Sequence, residues 1–226
     1  HVKTQGLVFE SRVGQGRLLV SALNHQTESS SAGRWLLQRF VQHLATGDEP
    51  KNAMSGRSVD RMSEAIRARQ IDLTRRKWQF RPDPENLGRQ QDWIQAKTDP
   101  DQWQEISIGQ SWEGQGFDSL DGWAWYRIRI DVPPDWVNTP VYLSFAGVDD
   151  HYQLYVNGEL VGGGGDPIKQ QTAFDEQRSH EITAHATPGQ PLQIVVRVYD
   201  WYGAGGIHRP VILTTAPASS GIKILE

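Results

Sequence analysis

The sequence predicts a mainly β fold, an antiparallel β-sandwich with a small ββα extension at its N-terminus. Three observations predict it. From about Ile71 onward, short runs of aromatic and β-branched residues alternate with polar ones, and turn signals interrupt them roughly every 8–12 residues. Asn157-Gly158 stands between two such runs; a tight hairpin turn needs positive φ at both central residues, which Asn and Gly tolerate best. Before residue 46 the pattern differs, with two apolar runs followed by apolar residues at helical spacing.

At 226 residues the chain fits one large domain, or one domain plus a fragment of another. Because it begins at His1 without a methionine, it reads as a mature or excised piece. The absence of cysteine excludes disulfides and thiolate metal sites and leaves the redox compartment open. A net charge of −4 points neither to nucleic acid nor to an anionic membrane as partner. No apolar run approaches the roughly 20 residues of a membrane span, and no signal-peptide pattern is present. Nine tryptophans and 22 glycines are many for this length. Tryptophans on this scale either fill a thin two-sheet core or present flat faces to a sugar.

In order along the chain, residues 6–13 read as a strand, 14–16 as a turn and 17–23 as a second strand, apolar enough to be buried on both faces. Ser29, Ser30 and Ser31 offer N-caps for a helix over 32–45. Its apolar stripe is Trp35, Leu36, Leu37, Phe40, Val41 and Leu44, and Gly47 stops it. Two strands and a helix bury too little surface to stand alone. Residues 1–45 therefore read as the tail of a preceding domain or a docked extension. Residues 46–70 are polar and read as a linker, with room for a short helix over 58–70.

Residues 71–226 form the sandwich. Strands are predicted at 77–80, 103–108, 121–133, 139–145, 152–156, 159–161, 179–183, 192–199 and 207–214. The strand over 121–133 organises the rest. Ala124, Tyr126, Ile128, Ile130 and Val132 share an apolar face directed at the core. Trp123, Trp125, Arg127, Arg129 and Asp131 share the other face, which the mixture of rings and charge predicts to be half covered at most. Gly162 to Gly165 are predicted to be bent or closely packed rather than part of a ladder.

Seven pieces of this region, in order, resemble the jelly-roll sugar-binding domain of glycoside hydrolase family two, part of the galactose-binding-like superfold. They are Trp112-Glu-Gly-Gln-Gly116, Gly122-Trp-Ala-Trp-Tyr-Arg127, Val132-Pro133, Leu143-Ser-Phe-Ala-Gly-Val-Asp149, Leu154-Tyr-Val-Asn-Gly158, Val195-Val-Arg-Val-Tyr-Asp200 and Gly205-Gly-Ile-His-Arg-Pro-Val211. The N-terminal piece, through Val13-Gly-Gln-Gly-Arg-Leu-Leu-Val-Ser21 and Arg34-Trp-Leu-Leu37, resembles the closing segment of a flavodoxin-like or glutamine-amidotransferase-like domain. The family's catalytic glutamates lie on a (β/α)8 barrel, for which this chain has no room. The resemblance therefore implies a non-catalytic carbohydrate-binding module of a larger glycoside hydrolase, or a scaffold domain bracing a barrel or an oligomer. A stand-alone carbohydrate-active enzyme is a third reading. The resemblance also implies a carbohydrate ligand and the remaining domains of a parent enzyme as partners, and favours an extracellular or periplasmic setting.

The residues with chemistry to offer cluster in two stretches. Asp149-Asp150-His151 lies between two strands; its carboxylates and imidazole suit loop structure, sugar hydroxyls, or metal and acid–base work. Asp200-Trp201-Tyr202 precedes a glycine-rich loop, where Trp201 and Tyr202 either present apolar faces to a sugar or pack on a neighbouring loop. His208 and Arg209 follow, Arg209 being better suited to a structural hydrogen-bond fork than to a ligand. Trp112, on a loop, is the best placed for exposure among Trp112, Trp123 and Trp125. The expected carbohydrate-binding set is Asp149, Asp150, His151, Trp201, Tyr202, His208, Trp112 and Arg209. No residue pattern gives a catalytic triad or a phosphate loop, and no cofactor is expected. The acidic loop of Asp83, Glu85 and Asn86 offers oxygens to a structural calcium, though no ligand spacing supports one there.

Overall fold

The computed structural model describes residues 8–13, 15–21, 31–46, 50, 53–58, 68–95 and 102–217. The helix considered over 58–70 and the stop at Gly47 lie essentially outside the described residues. The chain divides into two compact units, His1–Ile66 and Arg67–Glu226.

In the first unit β1 (Val8–Val13) and β2 (Gly16–Ser21) form an antiparallel hairpin, and α1 (Ser31–Thr46) follows. Glu10 of β1 holds the three elements together. It accepts the Arg17 guanidinium from β2 and contacts His43 Nε2 of α1 at 2.9 Å. The His43 hydrogen bond, ahead of that from Arg17, holds the Glu10 carboxyl below its usual range. The helical stripe is only partly covered, with Leu36, Phe40 and Leu44 half-buried and Trp35, Leu37 and Val41 exposed. Burial of β2 on both faces, expected from its apolar run, is not found. Its residues are at most half-buried, because a two-stranded sheet with a single helix has no second covering layer among the described residues.

The second unit is an antiparallel sandwich. Its strands are β3 (Gln70–Asp72), β4 (Lys77–Pro82), β5 (Gln104–Ser107), β6 (Gly122–Asp131), β7 (Tyr142–Phe145), β8 (His151–Val156), β9 (Glu159–Gly164), β10 (Arg178–Glu181), β11 (Pro191–Asp200) and β12 (Val211–Thr214). One sheet has the order β10-β7-β12-β3, the other β5-β4-β6-β11-β8-β9. β3 is an edge strand too short to show a period in sequence. The start of the expected last strand, 207–210, is loop.

Between the sheets lies one apolar core. β6 contributes Ala124, Tyr126 and Ile128, and Val132 follows it. β11 contributes Leu192, Ile194, Val196 and Val198, facing Leu143, Phe145, Val211 and Leu213 of the smaller sheet. This is the inward face that period-two alternation gives. The β8–β9 turn has Asn157 at φ 50° and Gly158 at φ 88°, as a two-residue hairpin of that twist demands.

The outer face of the larger sheet departs from expectation. Trp125 is fully buried, and a second apolar layer of Trp93, Trp103, Tyr155 and Val195 gathers on it. The reason lies in the stretch that follows β4. Asp83 Oδ1 accepts Leu87 N at 2.7 Å, while Oδ2 accepts Gly88 N at 3.1 Å and Trp125 Nε1 at 2.8 Å. One carboxylate thus turns the chain and fastens it to the sheet. Gly88 completes the fit, since a Cβ there would collide with the indoles of Trp125 and Trp93. The charged residues of this face join the layer as stacking partners. The guanidinium carbon of Arg81 lies 3.5 Å from the Trp93 ring centroid, that of Arg127 4.1 Å from Trp103, and that of Arg197 3.4 Å from Trp123. Asp83 is therefore committed to three N–H donors and Asn86 Oδ1 accepts Arg197, while Glu85, the third residue considered for calcium, is exposed.

The glycine run also differs from expectation. Gly162, Gly163 and Gly164 belong to the ladder, opposite Leu154, Gln153 and Tyr152, with a register shift beside them. Close packing explains why glycine occupies strand positions. A Cβ at Gly162 would meet the His180 ring, and one at Gly164 the Tyr152 ring.

Replacing Asp83 by Ala leaves three donors at the sheet face without their acceptor. We expect a loss of about 2–4 kcal/mol in urea unfolding, whereas Glu85→Ala, at an exposed neighbouring position, changes stability by less than about 0.5 kcal/mol.

Candidate functional site

Antiparallel pairing brings the candidate residues to one end of the sandwich. Asp200, closing β11, lies opposite Gly122, which opens β6; Tyr199 lies opposite His151, which opens β8. The loop before β8 and the loop after β11 then join. Asp149 N donates to Gly206 O at 3.0 Å and Gly206 N to Asp149 O at 3.2 Å, while Asp150 N donates to Tyr199 O at 2.9 Å. Asp149 and Asp150 are linked by a cis peptide bond.

Three carboxylates converge here. One oxygen from each of Asp149, Asp150 and Asp200 lies within 4.8 Å of the other two. Asp150 Oδ2 accepts Trp201 N at 3.0 Å, and Asp200 Oδ1 accepts Tyr202 N at 3.2 Å. Asp200 is fully buried, and its Oδ2 has no hydrogen-bond partner among the described residues. Burial, followed by the charge of Asp150, pushes the Asp200 carboxyl up to about 7. Burial, followed by the hydrogen bond from Asp150, pushes Asp149 up to about 8. Near neutrality the cluster holds protons that ordinary carboxylates release.

Around it, Trp201 is half-buried and Tyr202 is 81% exposed. His151 directs Nδ1 to Gly164 O at 2.8 Å, and its ring meets Trp123 edge-on at 6.2 Å. His208 stacks on Phe174 with centroids 4.4 Å apart and planes 16° apart; burial and the charge of Arg209 lower its pKa. Arg209 pairs with Asp175 and lies 5.4 Å from the Phe174 centroid. Its bonded partner is an exposed carboxylate outside the three-aspartate cluster.

Trp112 requires a correction. It is fully buried despite its loop position, with Nε1 donating to Leu120 O at 3.0 Å and its ring stacked on Tyr126 at 6.4 Å. A side chain without surface or free donor has nothing to offer a sugar. Its task is to seat the loop that follows β11. Gly205 rests so close to the indole that a Cβ would strike it, and Gly205 N donates to the Glu113 carboxylate at 3.1 and 3.2 Å.

Sequence reasoning brought Asp149, Asp150, Trp201 and Tyr202 to one place but passed over Asp200, Phe174 and Glu113. A signal for Asp200 exists. Leu192, Ile194, Val196 and Val198 face the core, and continuing the alternation places a carboxylate at the next inward position. Phe174 and Glu113 sit in segments without periodicity and carry no such mark.

For Asp149 and Asp200 the folded-state pKa lies above the ordinary carboxylate value, so the folded chain binds more protons than the unfolded one. Their contribution to stability is fully present below about pH 4 and is lost as pH rises through about 7–8. We expect the urea midpoint to fall between pH 5 and pH 8.5, and Asp200→Asn to flatten that fall. An unchanged slope in the variant would contradict the assignment.

No family model matches the chain. The β-galactosidase of Kluyveromyces lactis is 30% identical in an alignment 181 residues long that covers 63% of this chain and 16% of that enzyme. The β-galactosidase of Priestia megaterium is 26% identical in an alignment 175 residues long that covers 62% of this chain and 16% of that enzyme. The chain thus matches only a small part of the length of these relatives. Among solved structures, the β-glucuronidase from Ruminococcus gnavus in complex with D-glucuronic acid superposes with a TM-score of 0.57 at 19% identity, covering 67% of this chain and 30% of that one. The chain is similar in sequence to one part of far larger glycoside hydrolases, and its fold recurs in a β-glucuronidase.

Proposed function

We propose that the chain is a non-catalytic carbohydrate-binding module of a larger glycoside hydrolase, and that it binds sugar weakly through the loops at the Asp149–Asp200 end of the sandwich. The observation that carries this reading is the convergence of the Asp149, Asp150 and Asp200 carboxylates at one end of the sandwich, beside the half-buried Trp201 and the exposed Tyr202. Asp149 and Asp150 add acceptors for neighbouring hydroxyls, while Trp201 and Tyr202 offer apolar surface to the C–H face of a ring. The similarity to β-galactosidases supports a sugar-processing parent, and we read the sandwich as the family's jelly-roll domain and residues 1–45 as the end of a preceding flavodoxin-like domain.

A second reading, a brace that binds no sugar, draws on the tryptophans. Trp78, Trp93, Trp103, Trp112, Trp125 and Trp136 are all buried in packing, which leaves a small aromatic surface for a ligand. Isothermal titration of the full chain with galactose and with glucuronate separates the two. The binding reading expects a Kd of roughly 0.1–1 mM for at least one sugar and its weakening in Tyr202→Ala, at an exposed ring. Absence of heat with both sugars and with a panel of neutral oligosaccharides would favour the brace.

A further inference from the structure

Next to the carboxylate cluster the chain between β9 and β10 lines an open cavity of about 610 Å³, of the size that holds small ligands. We propose that this cavity is a second sugar subsite, so that the sandwich end takes a neutral disaccharide or longer chain rather than a single ring. The proposal rests on the reading of the cluster as a sugar site and extends it to a loop that no sequence pattern singled out.

Continuity is the first support. Thr172, in the cavity wall, hydrogen-bonds the Asp149 side chain, so the two places share a boundary.

The second support is order in the loop. Asp166 and Gln171 exchange backbone hydrogen bonds at 2.7 and 2.9 Å. Asp166 Oδ1 accepts Ile168 N at 3.0 Å and Lys169 N at 3.1 Å. Thr172 Oγ1 accepts Phe174 N at 3.0 Å, and Glu176 Oε2 accepts Gly165 N at 3.3 Å. A loop fixed in this way loses little freedom when a ligand arrives.

The third support is the chemistry of the lining. Phe174 is anchored by its stack on His208 yet keeps 40% of its surface exposed, which gives the cavity a flat apolar wall. Gln170 and Gln171 bring amides that both donate and accept. Asp175 and Glu176 are acceptors whose positions are set by pairing with Arg209 and Arg178. With both carboxylates balanced by these two arginines, the lining has no net positive charge to draw an anionic ring, so the ligand class is neutral sugar.

The test titrates the full chain with galactose, lactose and glucuronate. We expect lactose to bind roughly tenfold more tightly than galactose, a difference of about 1.4 kcal/mol. Phe174→Ala should collapse the lactose-to-galactose affinity ratio to about one. Gln171→Ala, at an exposed side chain, should lower the ratio in the same direction without a change in the thermal unfolding midpoint, which guards against a folding defect in the first variant. Galactose binding with no gain from lactose, or a ratio unmoved by both variants, overturns the subsite and leaves the cluster standing. Absence of binding by every sugar overturns the cluster and the subsite together.

Discussion

The Asp83 carboxylate, with Trp125 and two backbone amides on its oxygens, is the constraint on which the larger sheet depends. An antiparallel sheet ordinarily keeps one face wet. Here the chain returns over its own outer face, and a carboxylate with three donors holds it there. Arg81, Arg127 and Arg197 then lie flat on indoles instead of reaching into water. Arg197 is only 3% exposed, and burial lowers its pKa to about 10, so it remains a cation at neutral pH. Its charge is tolerated because two rings, Gln153 and Asn86 share it.

That double covering matters at the end of the sheet. β6 and β11 are the central strands, buried on both sides, and they deliver Gly122 and Asp200 to the same edge of the core. Asp200 occupies what the alternation of β11 makes an inward position. One carboxylate of the cluster, Asp200, is therefore held by a central strand, while Asp149, Asp150, Trp201 and Tyr202 come from loops. Rigid strands with variable loops at one end are the usual arrangement by which a sandwich carries recognition.

The inward face of β6, the Asn157-Gly158 turn and most strands were legible in the sequence, because each is a local pattern: alternation, a positive-φ pair, or a run bounded by turn residues. What escaped depends on contacts between distant segments. Trp93 lies in a polar stretch with no period, and only the Asp83–Trp125 hydrogen bond, 42 residues apart in the chain, shows why it comes to rest on the sheet. Trp112 looked exposed because loops generally are; its burial follows from Gly205, more than ninety residues later, coming to rest against it. In the candidate site, Asp149, Asp150, Trp201 and Tyr202 could be named from residue type and loop position, and Asp200 could have been found by extending β11 one step. Phe174 could not, since its significance comes from the cavity beside it.

At five positions glycine and a ring side chain share one cause. Gly88 faces Trp125 and Trp93, Gly205 faces Trp112, Gly164 faces Tyr152, Gly162 faces His180 and Gly206 faces the Tyr126 hydroxyl. At each, a large side chain fills the space that even a methyl group would need. Ring and glycine are two halves of one volume. In evolutionary terms Gly88 and Gly205 are not free to drift singly: each can gain a side chain only after its indole has shrunk, so a lineage that trades Trp112 or Trp125 away gains freedom at the facing glycine in the same step.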